Sequence, residues 1–203
     1  MPQTPENNKR IAKNTLLLYV RMLFLMAVSL YTSRVVLNTL GVEDYGIYNV
    51  VGGVVLMFGF INGSMSSSTQ RYITFALGQG DTERLRRVFS TALQIHALVS
   101  VLAVILGETV GLWFMYTQMQ IPAGRMDAAF WVLQCSIVST VVMIISVPYN
   151  AAIIAHEKMS AFAYISILEA VLKLAVVYLL VVFPSDKLVL YSFLILAVQL
   201  LIR

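Results

Sequence analysis

Long charge-free intervals separated by short polar stretches dominate the chain. A helix that crosses a bilayer needs about 20 mostly apolar residues, and against that ruler the intervals predict six spans, at about 14–37, 45–69, 89–116, 128–155, 160–183 and 188–203. Arg21 and Arg34 interrupt the first. The fourth carries Pro148 late in its course, where a missing amide donor predicts a kink. The sixth begins after the Pro184-Ser185-Asp186 turn and, at about 1.5 Å per residue, reaches only about 22 Å, short of a hydrocarbon core of about 30 Å. It is expected to be truncated. The fold class predicted is all-α, a polytopic membrane helix bundle forming a single lobe over 1–203.

Composition agrees. Hydrophobic residues make up 59% and charged residues 12%, against about 25% charged in soluble domains, and the mean hydropathy is +0.82. Nucleic acid is not an expected partner; the phospholipid bilayer is. A single cysteine, Cys135, excludes an intrachain disulfide and a cysteine-based zinc site. Cations segregate between alternate loops. Lys9, Arg10, Lys13, Arg71, Arg84, Arg86, Arg87, Lys158 and Arg203 fall on one side and Arg34, Arg125 and Lys187 on the other, which predicts a cytoplasmic N-terminus. Arg21 within the first apolar stretch, and the lack of a small-residue cleavage pattern after it, argue for a retained helix over a signal peptide. Tyr45, Tyr48, Trp113, Tyr116, Trp131 and Tyr191 fall near the predicted outer ends, as an aromatic girdle would. Between Gly78 and Arg87, Asp81 is a candidate helix cap, with Leu85, Val88 and Phe89 as a short amphipathic lead-in.

Three ionisable residues sit where lipid should be. A charge at helix centre costs about 2.5–3.5 kcal/mol on insertion scales, so Arg21, Glu169 and Lys173 must face protein, an opposite charge or water. Glu169 and Lys173 are four apart in the favourable order, with Ser166 a turn earlier. As a structural pair they would only glue helices together; as functional groups they would line a pathway. Arg21, with Asn14 and Thr32 near its azimuth, either snorkels to the headgroups or offers its planar fork to phosphate or carboxylate oxygens. Glu108 reads as a partly solvated carboxylate near the outer end of its span, and Arg71 as an anchor at the inner end. The second span is small and polar in one half, from Asn62-Gly63-Ser64 to Thr69, a surface that packs tightly or lines a wet cleft. Gly59-x-x-x-Gly63 and Gly107-x-x-x-Gly111 permit close helix contact. Nucleotide-cradling, hydrolase and HExxH motifs are missing, and His96 and His156 have no metal-binding neighbours at suitable spacing. No catalysis, metal or cofactor is expected.

Several stretches resemble the polysaccharide or O-antigen flippases of the multidrug/oligosaccharidyl-lipid/polysaccharide exporter superfamily. They are Arg34-Val35-Val36-Leu37-Asn38-Thr39-Leu40-Gly41 followed by Asp44-Tyr45-Gly46-Ile47-Tyr48-Asn49, then Gln70-Arg71-Tyr72, Val147-Pro148-Tyr149-Asn150-Ala151-Ala152, His156-Glu157-Lys158-Met159, and Ser166 through Lys173. The resemblance implies two six-helix lobes, of which this chain holds the N-terminal one, so that a second lobe or a second copy is an implied partner. It implies an undecaprenyl-diphosphate-linked oligosaccharide as substrate, moved across the inner membrane by alternating access, with a proton or sodium ion as coupling ion. Under it Arg21 and Lys173 attract the anionic headgroup, Glu169 is counter-charge or coupling carboxylate, and Asn49, Asn62 and Asn150 form the cavity wall. Two alternatives stay open from the residues alone: a cation-coupled multidrug exporter of the same superfamily, and a non-transporting scaffold or inactive half-transporter.

Overall fold

The computed structural model describes residues 5–56, 58–183 and 186–203, with side chains at 15–53, 63–183 and 186–203. Among the described residues all regular structure is helical. The elements are α1 (Pro5–Leu56), α2 (Phe58–Gly78), α3 (Thr82–Leu106) continuing through a π-helical stretch (Gly107–Gly111) into α4 (Leu112–Thr117), a 3-10 turn (Ala123–Arg125), α5 (Met126–Ala155), α6 (Met159–Val182) and α7 (Lys187–Ile202). Four stretches are long and apolar enough to cross a membrane: Thr15–Gly53, Thr82–Thr117, Ala123–Ala155 and Met159–Val182. Lys187–Ile202 is apolar but shorter. The helix α2 lacks a comparable window because Ser64, Ser66, Ser67, Ser68, Thr69, Gln70 and Arg71 dilute it. The chain is a membrane helix bundle. Pro184 and Ser185 of the predicted turn lie outside the described residues.

The helix α1 is two arms joined at Gly41, whose φ of 83° and ψ of 169° are non-helical and open to glycine almost alone. Contacts show that the chain reverses there. Along the first arm Arg21 meets Phe162 and Tyr31 bonds Tyr178, so it runs parallel to α6. The second arm follows α5 at a nearly constant sequence offset, Asp44 bonding Arg125 and Gly52 facing Ser136. The helix α2 carries the line onward, where Ser66 and Asn150 share one cavity wall. The second arm also runs beside α7, Asp44 and Asp186 sharing Arg125 and Tyr48 meeting Tyr191, and since α6 and α7 pair antiparallel, with Glu169 bonded to Arg203, the two arms point in opposite directions.

Two apolar clusters hold this arrangement. One joins the second arm, α4, α5 and the start of α7 through Ile47, Met115, Val132, Leu133 and Leu188; the other joins both arms of α1 to α6 and α7 through Val36, Val177, Leu180 and Tyr191. Gly107 and Gly111 lie buried against α5, and a Cβ on Gly107 would come within 2.8 Å of Ile137, so this GxxxG pair does bring two helices close. Gly63 faces open space, and the side-chain position of Gly59 lies outside the described residues. Asp81 accepts from the Arg84 amide at 2.9 Å and caps α3, which runs unbroken to Leu106 without a separate lead-in. Pro148 is buried inside a continuous α5. Of the residues expected in an aromatic girdle, Trp113, Tyr116 and Trp131 are exposed, whereas Tyr191 is buried in the core with its ring 4.8 Å from that of Tyr48.

At the end of the bundle opposite Arg203, an ionic tie joins three elements. Arg125 bonds Asp44 on the second arm and, at 2.7 Å, Asp186, which also caps α7 through the Leu188 amide. Lys187 reaches the Thr39 carbonyl beside it at 3.4 Å. The Asp44 side chain is 6% exposed, so Arg125 is the group that makes its burial tolerable.

Two stability predictions follow from this geometry. Gly41→Ala places a side chain in a left-handed, extended conformation and should cost about 1–3 kcal/mol, while Gly46→Ala, helical and meeting nothing, should gain about 0.5–1 kcal/mol; thermal unfolding in detergent should shift in opposite directions. Deleting one member of a buried pair costs about 3–5 kcal/mol, and because Arg125 is partly solvated a loss nearer about 2 kcal/mol is expected for Arg125→Gln. Adding Asp44→Asn should return most of it, and an additive double mutant would refute the tie.

Candidate functional site

In hydrocarbon a hydroxyl must find its partner within the protein. Along these helices most do so one turn back: Ser100 donates to His96, Thr140 to Ser136, Ser166 to Phe162 and Ser192 to Leu188, each through the carbonyl oxygen. Such side chains are silent. What stands out are polar atoms that are buried and have no partner among the described residues, among them Arg21 Nε and Thr32 Oγ1, two residues that line one cavity.

That cavity has a volume of about 570 Å³ and lies between the first arm of α1, α2, α5, α6 and α7. Arg21, Glu169, Lys173 and Asn150 all line it, so four of the predicted residues come together, and Arg203 joins them. Glu169 is the hub: Lys173 Nζ donates to its Oε1 at 2.7 Å and Arg203 Nη2 to its Oε2 at 3.3 Å. Its side chain is 16% exposed, against 40% for Lys173. Arg21 lies with its guanidinium carbon 4.4 Å from the centre of the Phe162 ring, a cation–π contact that orients the fork without using its donors. Three cations and one carboxylate thus share a chamber. Since both oxygens of that carboxylate are engaged, the arrangement leaves an excess of positive charge around the space.

Lys173 also forms part of the wall of a second, smaller cavity of about 230 Å³, bounded by Asn49, Gly52, Ser136, Thr140 and Gln199. Asn49 therefore lies in the neighbouring cavity, away from Arg21, and its Nδ2 donates to the Tyr45 carbonyl at 2.7 Å. The side chain of Asn62 lies outside the described residues. Glu108, in the π-helical stretch, is half-buried and accepts from Gln134 Nε2 at 3.2 Å, apart from the chamber. Arg71 is exposed, and His156 Nδ1 bonds the Ala152 carbonyl at the end of α5. The sequence reading missed Arg203, counted there only as a loop cation. The signal was available, because Glu169 and Arg203 lie equally far in sequence on either side of Asp186 and an antiparallel hairpin turning near it places them opposite each other.

No curated protein and no solved structure matches this chain. The family model described as MatE does, over residues 18–179, from the first arm of α1 almost to the end of α6. Its members are transporters and not enzymes, exporters and flippases of the multidrug/oligosaccharidyl-lipid/polysaccharide superfamily. With that match covering most of the chain and every chamber residue but Tyr191 and Arg203, this multi-pass membrane protein belongs to the MatE family.

Proposed function

We propose that the chain works as a flippase for a lipid-linked oligosaccharide carrying a phosphate or diphosphate, of the undecaprenyl-diphosphate type, and that it does so in the inner membrane with its N-terminus in the cytoplasm. The observation that carries this reading is the sign of the chamber. Arg21, Lys173 and Arg203 outnumber Glu169, and Glu169 is already bonded twice. An anionic headgroup gains from that excess, and arginine forks match phosphate oxygens in geometry as well as charge. Hydroxyl and amide side chains around the cations, Ser29, Thr32, Ser33 and Asn150, suit a sugar that must be shielded from lipid. The polyprenyl tail needs no site, since it can stay in the bilayer.

Cation-coupled export of drugs is the competing reading within the family, and it calls for the opposite balance. A cationic substrate or coupling ion needs a carboxylate with a free oxygen, and Glu169 offers one only if Lys173 or Arg203 lets go. In the proposed cycle that exchange is the role of Glu169. It holds the two cations while the chamber is empty and yields them to the phosphate when the substrate enters, so the resting chamber is not left with three uncompensated charges.

Three measurements test this. Expressed from its full reading frame in a flippase-deficient strain, the protein should restore surface polysaccharide without conferring dye efflux, and Arg21→Ala should reduce that restoration about tenfold or more at unchanged abundance. Dye efflux without glycan would favour the drug exporter. Glu169→Gln should bind a prenyl diphosphate more tightly than the unaltered protein yet translocate less, because the cations are then free to hold the phosphate but have nothing to return to. In a Cys135→Ser background, single cysteines at positions 21, 169 and 173 should react with a membrane-impermeant maleimide; three inert thiols would reduce the chamber to architecture.

A further inference from the structure

A third cavity, of about 550 Å³, lies between α2 and α3 and shares no lining residue with the charged chamber. Its volume is that of a small-molecule site. Ser64, Ser68 and Tyr72 recur at helical spacing along α2, and Arg87, Thr91 and Ile95 do the same along α3, so one face of each helix is turned to the cleft. At its depth is His96, 1% exposed. Nδ1 stands 2.7 Å from the Ala92 carbonyl, which can only accept, so Nδ1 carries a hydrogen, and with a single proton on the ring Nε2 is a bare acceptor. That Nε2 is buried and has no partner among the described residues. A buried acceptor in such a state asks for a donor from outside the chain.

Nine residues before His96, about 13 Å along the helix axis, Arg87 supplies a cation at the exposed end of the same cleft. Between the two the walls are largely apolar, from Met65, Val88, Ala92 and Ile95, with the Tyr72 ring at one side. We propose that this cleft is a second ligand site, separate from the transport chamber, for a drug-sized aromatic anion whose body lies between the helix faces. Its acidic group meets Arg87 and its hydroxyl donates to His96 Nε2. The hydroxyl is the selective element, because only a donor satisfies that nitrogen. The acidic group adds attraction that salt should weaken, since Arg87 is solvated.

The probe is a naphthol sulfonate with its hydroxyl and sulfonate at opposite ends of the ring system, compared with its methyl ether, both titrated by fluorescence against the purified full chain in nanodiscs. The naphthol should bind saturably at one site, and the ether, which lacks only the donor, about tenfold more weakly. That comparison uses the unaltered protein and so does not depend on whether a variant folds. His96→Phe should bring the naphthol down to the affinity of the ether and leave the ether unchanged, His96→Gln should recover part of the difference through its carbonyl oxygen, and Arg87→Gln should weaken both probes alike. Arg21→Ala should leave both unaffected. Failure of the naphthol to saturate, equal affinities for the two probes on the unaltered chain, or binding lost with Arg21 and kept with His96→Phe would each overturn the site. None of these outcomes bears on glycan translocation, which stands or falls on the chamber.

Discussion

Hydrocarbon offers no partner to a charge, and the arrangement around Glu169 answers that constraint. On α6 the carboxylate and Lys173 are one turn apart, which fixes one ion pair before any tertiary contact forms. The hairpin with α7 then brings Arg203 to the second oxygen. Arg21 cannot be accommodated in the same way, and its first arm instead lays it across Phe162. Five elements close around these groups without covering them, because sealing unpaired N–H donors and an ammonium in a dry interior would cost several kcal/mol per ion. A chamber is what remains when helices pack as tightly as buried charge allows.

The opposite end of the bundle obeys the same rule with the other outcome. There one cation, Arg125, faces two carboxylates, and the pairing ties the second arm, α5 and α7 together. Asp44 is buried in the tie, and one of its oxygens has no partner among the described residues. The two ends therefore differ in kind. At one, opposite charges are joined across three elements and the helices are drawn in; at the other, like charges share a cavity and the helices stand apart. The reversal at Gly41 makes this possible, since it turns the chain back beside α5 just ahead of Asp44.

How much of this could be read from the residues depends on the range of the interaction. The helical class followed from apolar run length, and the Glu169 and Lys173 pair from a spacing of four. Both are local. The cap at Asp81 was legible for the same reason. The link between Glu169 and Arg203 was within reach because a hairpin converts sequence distance into spatial opposition by counting from its turn. The tie between Asp44 and Arg125 was not, since nothing in either segment says that the second arm lies parallel to α5. The same gap misplaced Asn49, which shares its helix arm with the tie and so faces the smaller cavity beyond Lys173. Tyr191 was read as an interface residue from its position near a span end, but position along the membrane normal does not say which way a ring turns, and here it turns inward onto Tyr48.

Lys173 is the point at which the two polar cavities meet, and this bears on the proposed transport cycle. Its ammonium is bonded to Glu169 on the side of the larger chamber, while its side chain also contributes to the wall shared with Asn49, Thr140 and Gln199. A lysine is a compact charge on a flexible stem, unlike the planar forks of Arg21 and Arg203. It can change partners by rotation about its own bonds, whereas an arginine that leaves a carboxylate forfeits a directional contact. Of the two cations that Glu169 holds in the proposed cycle, Lys173 is thus the one better suited to follow a phosphate as it moves. The arginines are suited to hold the headgroup in a fixed orientation. A chamber built from three lysines would attract the same charge with less control over its geometry, and one built from three arginines would bind well and release slowly.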